Sequence, residues 1–127
     1  AAPRVVEIGC PDLVPIVEKG LLHTEESKQI LDGYARTVLE AGADTLVLGC
    51  THYPLLLPVL GPLLGDGVRI VNPATLMSEY LRRIEQQGTV EYKVSGCPEE
   101  FSASASRILG WDIETDQVLL RRPTQTL

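Results

Sequence analysis

The stretch that decides the fold is "TLVLGCTHYPLLLPVLG", residues 45–61. Its first part, "TLVLG", is apolar without alternation, which is typical of a strand buried on both faces of a parallel sheet. Gly49 ends this run, and Cys50, Thr51 and His52 follow it directly. The residues beyond them suit a helix but are interrupted by prolines. The stretch therefore predicts a buried strand, a loop of reactive side chains and a short irregular helix.

The same alternation of strand and helix patterns extends outward to both ends of the chain. Apolar or alternating runs predict strands at residues 4–9, 45–49, 67–73, 90–96 and 112–120. Helical spacing of apolar residues predicts helices at 12–20, 24–42, 54–65, 74–88 and 97–110. This order predicts an α/β fold, with a mostly parallel sheet and flanking helices. In such sheets, functional sites form beyond the carboxyl ends of the strands.

Local signals sharpen three of the predicted helices. Thr24 is a good N-cap for the helix that follows it, and Gly42 suits the position after that helix ends. In the helix at 74–88 the apolar residues share one face, and Gly88 follows its end; these residues are Leu76, Tyr80, Leu81 and Ile84. In the helix at 97–110 we expect an inward-facing stripe made of Phe101, Ala105, Ile108 and Leu109.

Composition and charge exclude several classes of function. The 127 residues carry a net charge of −6, which disfavours binding to nucleic acid or to an anionic membrane surface. No apolar run approaches the ~20 residues that span a bilayer, and the first residues do not resemble a signal peptide. The chain begins Ala-Ala-Pro without Met, which indicates a fragment or a processed product.

The cysteines are few and widely spaced. Cys10, Cys50 and Cys97 are an odd number of thiols at spacings that do not form a disulfide framework. A reducing, cytosolic compartment is the simpler interpretation.

The residue types around Cys50 suit acid/base chemistry. A thiol between a strand end and a helix start lies near unpaired backbone N–H groups, which favour the thiolate. Thr51 offers a hydroxyl that caps the helix or binds a ligand, and His52 is placed to move a proton. The residues alone also fit a simpler interpretation, in which Cys50 is a small buried side chain and Thr51 an ordinary cap.

Four segments resemble the glutamate racemases of the cofactor-independent aspartate/glutamate racemase superfamily. "LVLGCTHYPLL" is similar to the signature around the second catalytic cysteine of that family, and "GCPDLVPIVEKG" is similar to its "ACP-x-x-VP-x-VE" segment. "VRIVNPA" resembles a family strand that ends in Asp-Pro-Ala, with Asn72 in place of Asp. "KVSGCPEEFSASASRILG" resembles a segment near the family's C-terminus, with Cys97 in place of Asp.

The resemblance implies a racemase mechanism that needs no cofactor and no metal. Two opposed cysteines flank Cα of the amino acid; one removes a proton as thiolate and the other returns one as thiol. Carried over, Cys50 is one of this pair, and Thr51 together with Cys50 holds the substrate. His52 assists proton transfer at Cys50, and Glu18 positions or tunes the histidine.

The resemblance also implies that half of such an enzyme is absent from this sequence. The family's "FDSG" and "CNT" segments, the second of which holds the other cysteine, do not occur here. Residues 1–72 then correspond to the second racemase domain. Residues 73–127 correspond to a C-terminal portion that returns to complete the first. We expect this chain alone to be inactive, and its partners to be glutamate, the missing N-terminal half and, in a homodimer, a second copy. The implied role is D-glutamate supply for peptidoglycan in a bacterial cytoplasm.

Three other interpretations remain open at this stage. In the first, the substrate is another acidic amino acid such as aspartate, although related aspartate enzymes commonly carry Glu where His52 stands. A zinc module would use Cys50 and His52 with Cys10, His23 or Cys97, but no paired ligand spacing is present. A non-catalytic remnant or interaction domain would keep the fold without the activity.

Overall fold

The computed structural model of the chain describes residues 2–82 and 89–120. Contacts divide the chain into two compact units, residues 1–85 and 86–127. Helices alternate with parallel strands in both units, so the predicted α/β class is confirmed. The strands form two separate two-stranded sheets within the described residues, where the sequence predicted one larger sheet.

The first unit contains most of the helices. In chain order its elements are α1 (Leu13–Glu18), α2 (Glu25–Glu40), β1 (Thr45–Val47), a 3₁₀ turn (Tyr53–Leu56), α3 (Leu57–Leu64), β2 (Arg69–Val71) and α4 (Pro73–Leu81). Strands β1 and β2 pair in parallel, with Val47 opposite Val71, and α3 lies in the connection between them. The loop of residues 49–52, the reactive loop, therefore leaves the carboxyl end of β1, where the sequence predicts a site.

Helix α2 begins and ends as the sequence predicts. The side-chain oxygen of Thr24 accepts the backbone N–H of Ser27 at 3.2 Å, which satisfies one of the free donors of the first turn. At the other end Gly42 has φ +66°, a conformation that costs glycine little. The N–H of Gly42 donates to Leu39 and that of Ala43 to Val38, which closes the last turn.

The core of the first unit lies between α1, α2 and the segment from the 3₁₀ turn through α3. Leu31 and Leu56 are fully enclosed, each with 0% of its surface exposed. The rest of this core is also apolar and consists of Leu13, Ile16, Val17, Ala35, Val38, Leu60, Leu64 and Val68. Helix α1 is only six residues long, so its stability comes from this burial and from contacts at its ends.

Two predictions about strands in the first unit are wrong. Residues 4–9 form no strand, because no other described strand pairs with them; Val5 and Val6 are exposed, and Arg4 reaches the carbonyl of Ala41. Strand β1 is not buried on both faces, since Val47 is 59% exposed while Leu46 packs on the core. Side chains alternate across a strand, so Val47 lies on the face opposite Leu46, and more than half of its surface is exposed.

The second unit is built from β3 (Tyr92–Val94), α5 (Pro98–Leu109) and β4 (Thr115–Gln117). The two strands pair in parallel, with Tyr92 opposite Thr115. Hydroxyl groups join α5 to the chain around β4: Ser102 donates to the hydroxyl of Thr115, and Ser106 accepts the N–H of Ile113, both at 2.8 Å.

The prediction that the apolar stripe of α5 faces inward is wrong. Phe101, Ile108 and Leu109 are exposed, and Ala105 is half-buried. Because Ser102 and Ser106 lie one turn apart and bond to the segment carrying β4, the helix presents its serine face there and leaves its apolar stripe partly exposed.

Helix α4 confirms the start of the helix predicted at 74–88. It begins at Pro73, and the side chain of Asn72 caps it by accepting the N–H of Ala74 at 3.0 Å. Its apolar side chains Leu76, Tyr80 and Leu81 are exposed. The predicted positions of Ile84 and Gly88, and the tail at 121–127, lie outside the described residues.

The contacts place α4 with the first unit, so the division falls after residue 85. The predicted domain boundary at residues 72–73 stays a prediction. It concerns a domain that this chain would share with a partner, and contacts within the chain do not test such a boundary. Across residues 2–82 and 89–120 no helix is both long enough and apolar enough to cross a membrane.

Candidate active site

The reactive loop is held at both ends by backbone hydrogen bonds. The N–H of Leu48 donates to the carbonyl of Val71 at 3.0 Å, which extends the pairing one residue past β1. The carbonyl of Cys50 then accepts the N–H of Tyr53 at 3.2 Å, where the 3₁₀ turn starts. Residues 49–52 therefore span the short distance between a strand end and a helical turn, and Cys50 is half-buried there.

Three of the predicted site residues are brought together in a line. The Sγ atom of Cys50 lies 3.7 Å from Nδ1 of His52. On the other side of the ring, Nε2 of His52 lies 3.5 Å from Oε1 of Glu18. The side chain of His52 is 32% exposed and that of Glu18 is 56% exposed, so solvent reaches the line at the carboxylate end.

The order of these groups fits proton transfer at the thiol. When Nε2 carries the hydrogen and faces the carboxylate, Nδ1 presents its lone pair to the Cys50 thiol. The imidazole then takes the thiol proton or returns it, and the carboxylate stabilises the imidazolium that forms in between. Glu18 reaches the ring because it is the last residue of α1, which packs against the 3₁₀ turn.

Thr51 has a different place from its neighbours. It is exposed, and its hydroxyl makes no hydrogen bond within the part of the chain that the structure describes. The N-cap position of the 3₁₀ turn belongs to His52, so the interpretation of Thr51 as a cap is wrong. Its hydroxyl is left for the other predicted use, a hydrogen bond to a ligand.

Two tyrosines near the site, Tyr53 and Tyr34, are not among the site residues that the sequence predicts. The hydroxyl of Tyr53 donates to the main-chain carbonyl of Cys10 at 3.5 Å, which connects the reactive loop to the start of α1. Burial raises the pKa of the Cys10 thiol, and the nearby hydroxyl of Tyr53 offsets part of that rise. The pKa of Tyr53 is raised by burial first, and then by the neighbouring thiols of Cys10 and Cys50.

A second tyrosine holds the same end of α1. The hydroxyl of Tyr34 donates to the carboxylate of Asp12 at 3.0 Å, and Asp12 caps no backbone N–H with its side chain. Burial, followed by this hydrogen bond, raises the pKa of Tyr34 to about 12. Residue spacings of 43 and 22 separate these tyrosine pairs, so no local sequence pattern marks them.

Two thiols of the zinc interpretation make other hydrogen bonds. The thiol of Cys10 donates to the carbonyl of Ile8 at 3.4 Å, and that of Cys97 to the carboxylate of Glu99 at 3.0 Å. Within residues 2–82 and 89–120 no group of three or more His, Cys, Asp or Glu side chains is arranged to hold a metal ion. The geometry therefore gives no support to a zinc site in the described residues.

Parallel strands joined through helices, with a thiol, an imidazole and a carboxylate at a strand end, define an α/β protein equipped for proton transfer at cysteine. Comparison with known proteins makes this specific. The glutamate racemase 2 of Caldanaerobacter subterraneus subsp. tengcongensis is 37% identical over 120 residues, which are 87% of this chain and 46% of the relative. The chain is thus similar over most of its own length to bacterial proteins named glutamate racemase, and it spans about half the length of the curated relatives it matches.

Solved structures show the same similarity. The glutamate racemase of Thermus thermophilus, crystallised with β-chloro-D-alanine, is 32% identical with a TM-score of 0.70; the match covers 87% of this chain and 46% of that one. The glutamate racemase of Francisella tularensis, crystallised with D-glutamate, shares the fold at 18% identity and a TM-score of 0.65, over 88% of this chain and 45% of that one. No protein-family model matches the chain.

Proposed function

We propose that this chain is the part of a cofactor-independent glutamate racemase that supplies one of its two proton-carrying thiols. The line from Cys50 through His52 to Glu18 supports this proposal, because it gives the thiol an imidazole to exchange a proton with. The exposed hydroxyl of Thr51, one residue beyond Cys50, is placed to hold the polar groups of the amino acid. We propose glutamate as the substrate because the matched relatives are named glutamate racemases. His52 also favours glutamate, since related aspartate enzymes commonly carry Glu at that position.

Racemisation through thiols requires a second proton carrier on the opposite face of Cα. In the described residues the thiol of Cys10 donates to a carbonyl and that of Cys97 to a carboxylate, and neither has an imidazole partner. The proposed second carrier is therefore a cysteine of the missing N-terminal half. It follows that this chain alone does not racemise glutamate at a measurable rate.

The proposed place of the missing half is against residues 73–127. The side chains of Leu76, Met77, Tyr80 and Leu81 form an exposed apolar stripe on α4. Phe101, Ile108 and Leu109 form another on α5. Apolar stripes on helices are normally covered, and a partner domain or, in a homodimer, a second copy would cover them. We propose for the complete enzyme a bacterial cytoplasmic role in supplying D-glutamate for peptidoglycan.

An assay of racemisation tests the proposal. The chain is incubated with L-glutamate, alone and mixed with the half of the Thermus thermophilus racemase that this chain does not match. D-glutamate is then measured by chiral chromatography. We expect no turnover by the chain alone and turnover by the mixture. L-aspartate, run in parallel, tests the choice of substrate.

A matched pair of variants identifies the thiol that acts. Cys50→Ala removes the proposed proton carrier and is expected to abolish turnover in the mixture, while Cys97→Ala leaves it unchanged. Appreciable racemisation by the chain alone would contradict the two-cysteine proposal. So would restored turnover that survives Cys50→Ala.

A further inference from the structure

The groups at Cys50 also satisfy the requirements of a different reaction. Nucleophilic acyl transfer at cysteine needs a thiol, a base within reach of it, and a third group that orients the base. We propose that Cys50 accepts acyl groups from small activated donors, namely thioesters and aryl esters, with His52 as the base. This activity goes beyond racemisation and requires no residue from the missing half.

The distances place the three roles in the required order. The base atom, Nδ1 of His52, lies 3.7 Å from Sγ of Cys50, and Nε2 on the far side of the ring lies 3.5 Å from Oε1 of Glu18. The carboxylate thus holds the ring with its base nitrogen towards the thiol. Cys50 is half-buried and not enclosed, and the proposal has a small donor reach its thiol from the solvent beside the exposed Thr51.

The transfer is balanced without any further reactant. His52 takes the proton from the Cys50 thiol, and Sγ attacks the carbonyl carbon of the donor. A carbon–sulfur bond forms to the enzyme, while the bond between the carbonyl carbon and the leaving thiolate or phenolate breaks. The imidazolium returns its proton to the leaving group or to solvent. Nothing is oxidised or reduced, and Cys50 is left as an S-acyl cysteine.

The other two thiols provide internal references. The thiol of Cys10 donates to the carbonyl of Ile8, and burial raises its pKa, which keeps it protonated and less nucleophilic. The exposed thiol of Cys97 donates to the Glu99 carboxylate. Among the described residues neither contacts an imidazole, so a selective reaction at Cys50 reports on His52 and not on thiol exposure.

The test is to treat the 127-residue chain with 4-nitrophenyl acetate and to follow acetylation of each cysteine by peptide mass spectrometry. We expect Cys50 to be acetylated at least about tenfold faster than Cys10 or Cys97, since general-base assistance contributes roughly 10²-fold or more when well aligned. Acetyl thioester replaces the aryl ester in a second series, with the same preference expected.

His52→Ala is expected to lower the rate at Cys50 by about tenfold or more and to leave the rate at Cys97 unchanged. His23→Ala, at an exposed histidine, is the matched control and leaves both rates unchanged. Glu18→Gln is expected to lower the acetylation rate at Cys50 by a smaller factor. It replaces His52→Ala in the test if circular dichroism shows that His52→Ala does not fold.

Equal rates at the three cysteines would overturn the proposal, as would a Cys50 rate that does not respond to His52→Ala or to Glu18→Gln. The outcome is independent of the racemase proposal, because this experiment reads acyl adducts on the chain alone. The racemase assay reads D-glutamate formed by the two halves together.

Discussion

Leu31, on α2, has no exposed surface and lies in the core that carries the reactive loop. Leu31→Ala would leave a cavity, so we expect it to lower the free energy of unfolding by about 2–5 kcal/mol. Leu39→Ala is the matched control on the same helix; because Leu39 is 46% exposed, its loss should stay below about 1 kcal/mol. Urea denaturation followed by circular dichroism measures both, and equal losses would contradict the described core.

Cys97 and Glu99 allow a pH-dependent prediction for single residues. The hydrogen bond from the Cys97 thiol holds the pKa of the Glu99 carboxyl below its usual value. A lowered pKa in the fold adds stability that is present above the usual pKa and is lost as the pH falls. Cys97→Ala should move the pKa of Glu99 upward, and Cys97→Ser, which keeps a donor, should not. Carboxyl carbon shifts in an NMR titration decide between these outcomes.

At the level of single residues, sequence reasoning was strongest where a motif is local. Cys50, Thr51 and His52 are consecutive, and Glu18 lies in a segment with its own family pattern, so the sequence alone points to all four. The contacts of Tyr53 with Cys10, and of Tyr34 with Asp12, join distant parts of the chain. Only the packing of α1 against its neighbours creates them, so residue patterns gave no indication of them.

Among the elements, α1 depends most on its surroundings. It is six residues long, and Tyr34 holds its first end through the carboxylate of Asp12. The pKa of Tyr34 is about 12 in the fold, above the ordinary value of about 10, because burial and this hydrogen bond favour the protonated hydroxyl. The unfolded chain therefore loses this proton first, and stability falls as the pH rises from about 10 to 12.

Tyr34→Phe removes that titrating group. The variant should be less stable than the unmodified chain at pH 8, where the hydrogen bond is intact, and the difference should shrink between pH 10 and 12. Thermal unfolding at a series of pH values gives this comparison. A difference that does not change over that range would rule out the described effect of Tyr34.

Helix α2 carries a cap whose contribution is measurable. Thr24→Ala removes the acceptor for the N–H of Ser27 and should cost about 1 kcal/mol of stability. Thr24→Ser keeps the oxygen and should cost far less. If chemical denaturation gives the same loss for both substitutions, the cap is not the source of the stability.

Element boundaries and element orientation were predicted with unequal success. Caps and terminal glycines act within a few residues, so both ends of α2 and the start of α4 were predicted well. The faces of α5 and β1 depend on what lies against them. In α5, Ser102 and Ser106 bond to the chain around β4, so the serine face lies there and not the apolar stripe. In β1, the face that carries Val47 is largely exposed. Apolar patterns alone therefore predict the wrong orientation for both elements.

Over the whole molecule, the two units differ in how much apolar surface they enclose. The first has a continuous core, whereas Ile113 is the one buried hydrophobic side chain in the described part of the second. Segments that bury little open locally more often. Hydrogen exchange should therefore be slower for the amides of α2 than for those of α5, by at least about tenfold in protection. Equal protection in both helices would contradict the described difference.

The parallel pairing of β1 with β2 has a mechanical consequence. Val47 and Val71 are partners in register, so the loop that carries Cys50 and the first turn of α4 leave the same edge of the sheet. The hydrogen bond from Leu48 to Val71 couples the two exits directly. The loop that carries Cys50 and the start of α4 are therefore anchored to one pair of strands, so a substitution that loosens the pairing of β1 with β2 is expected to displace both.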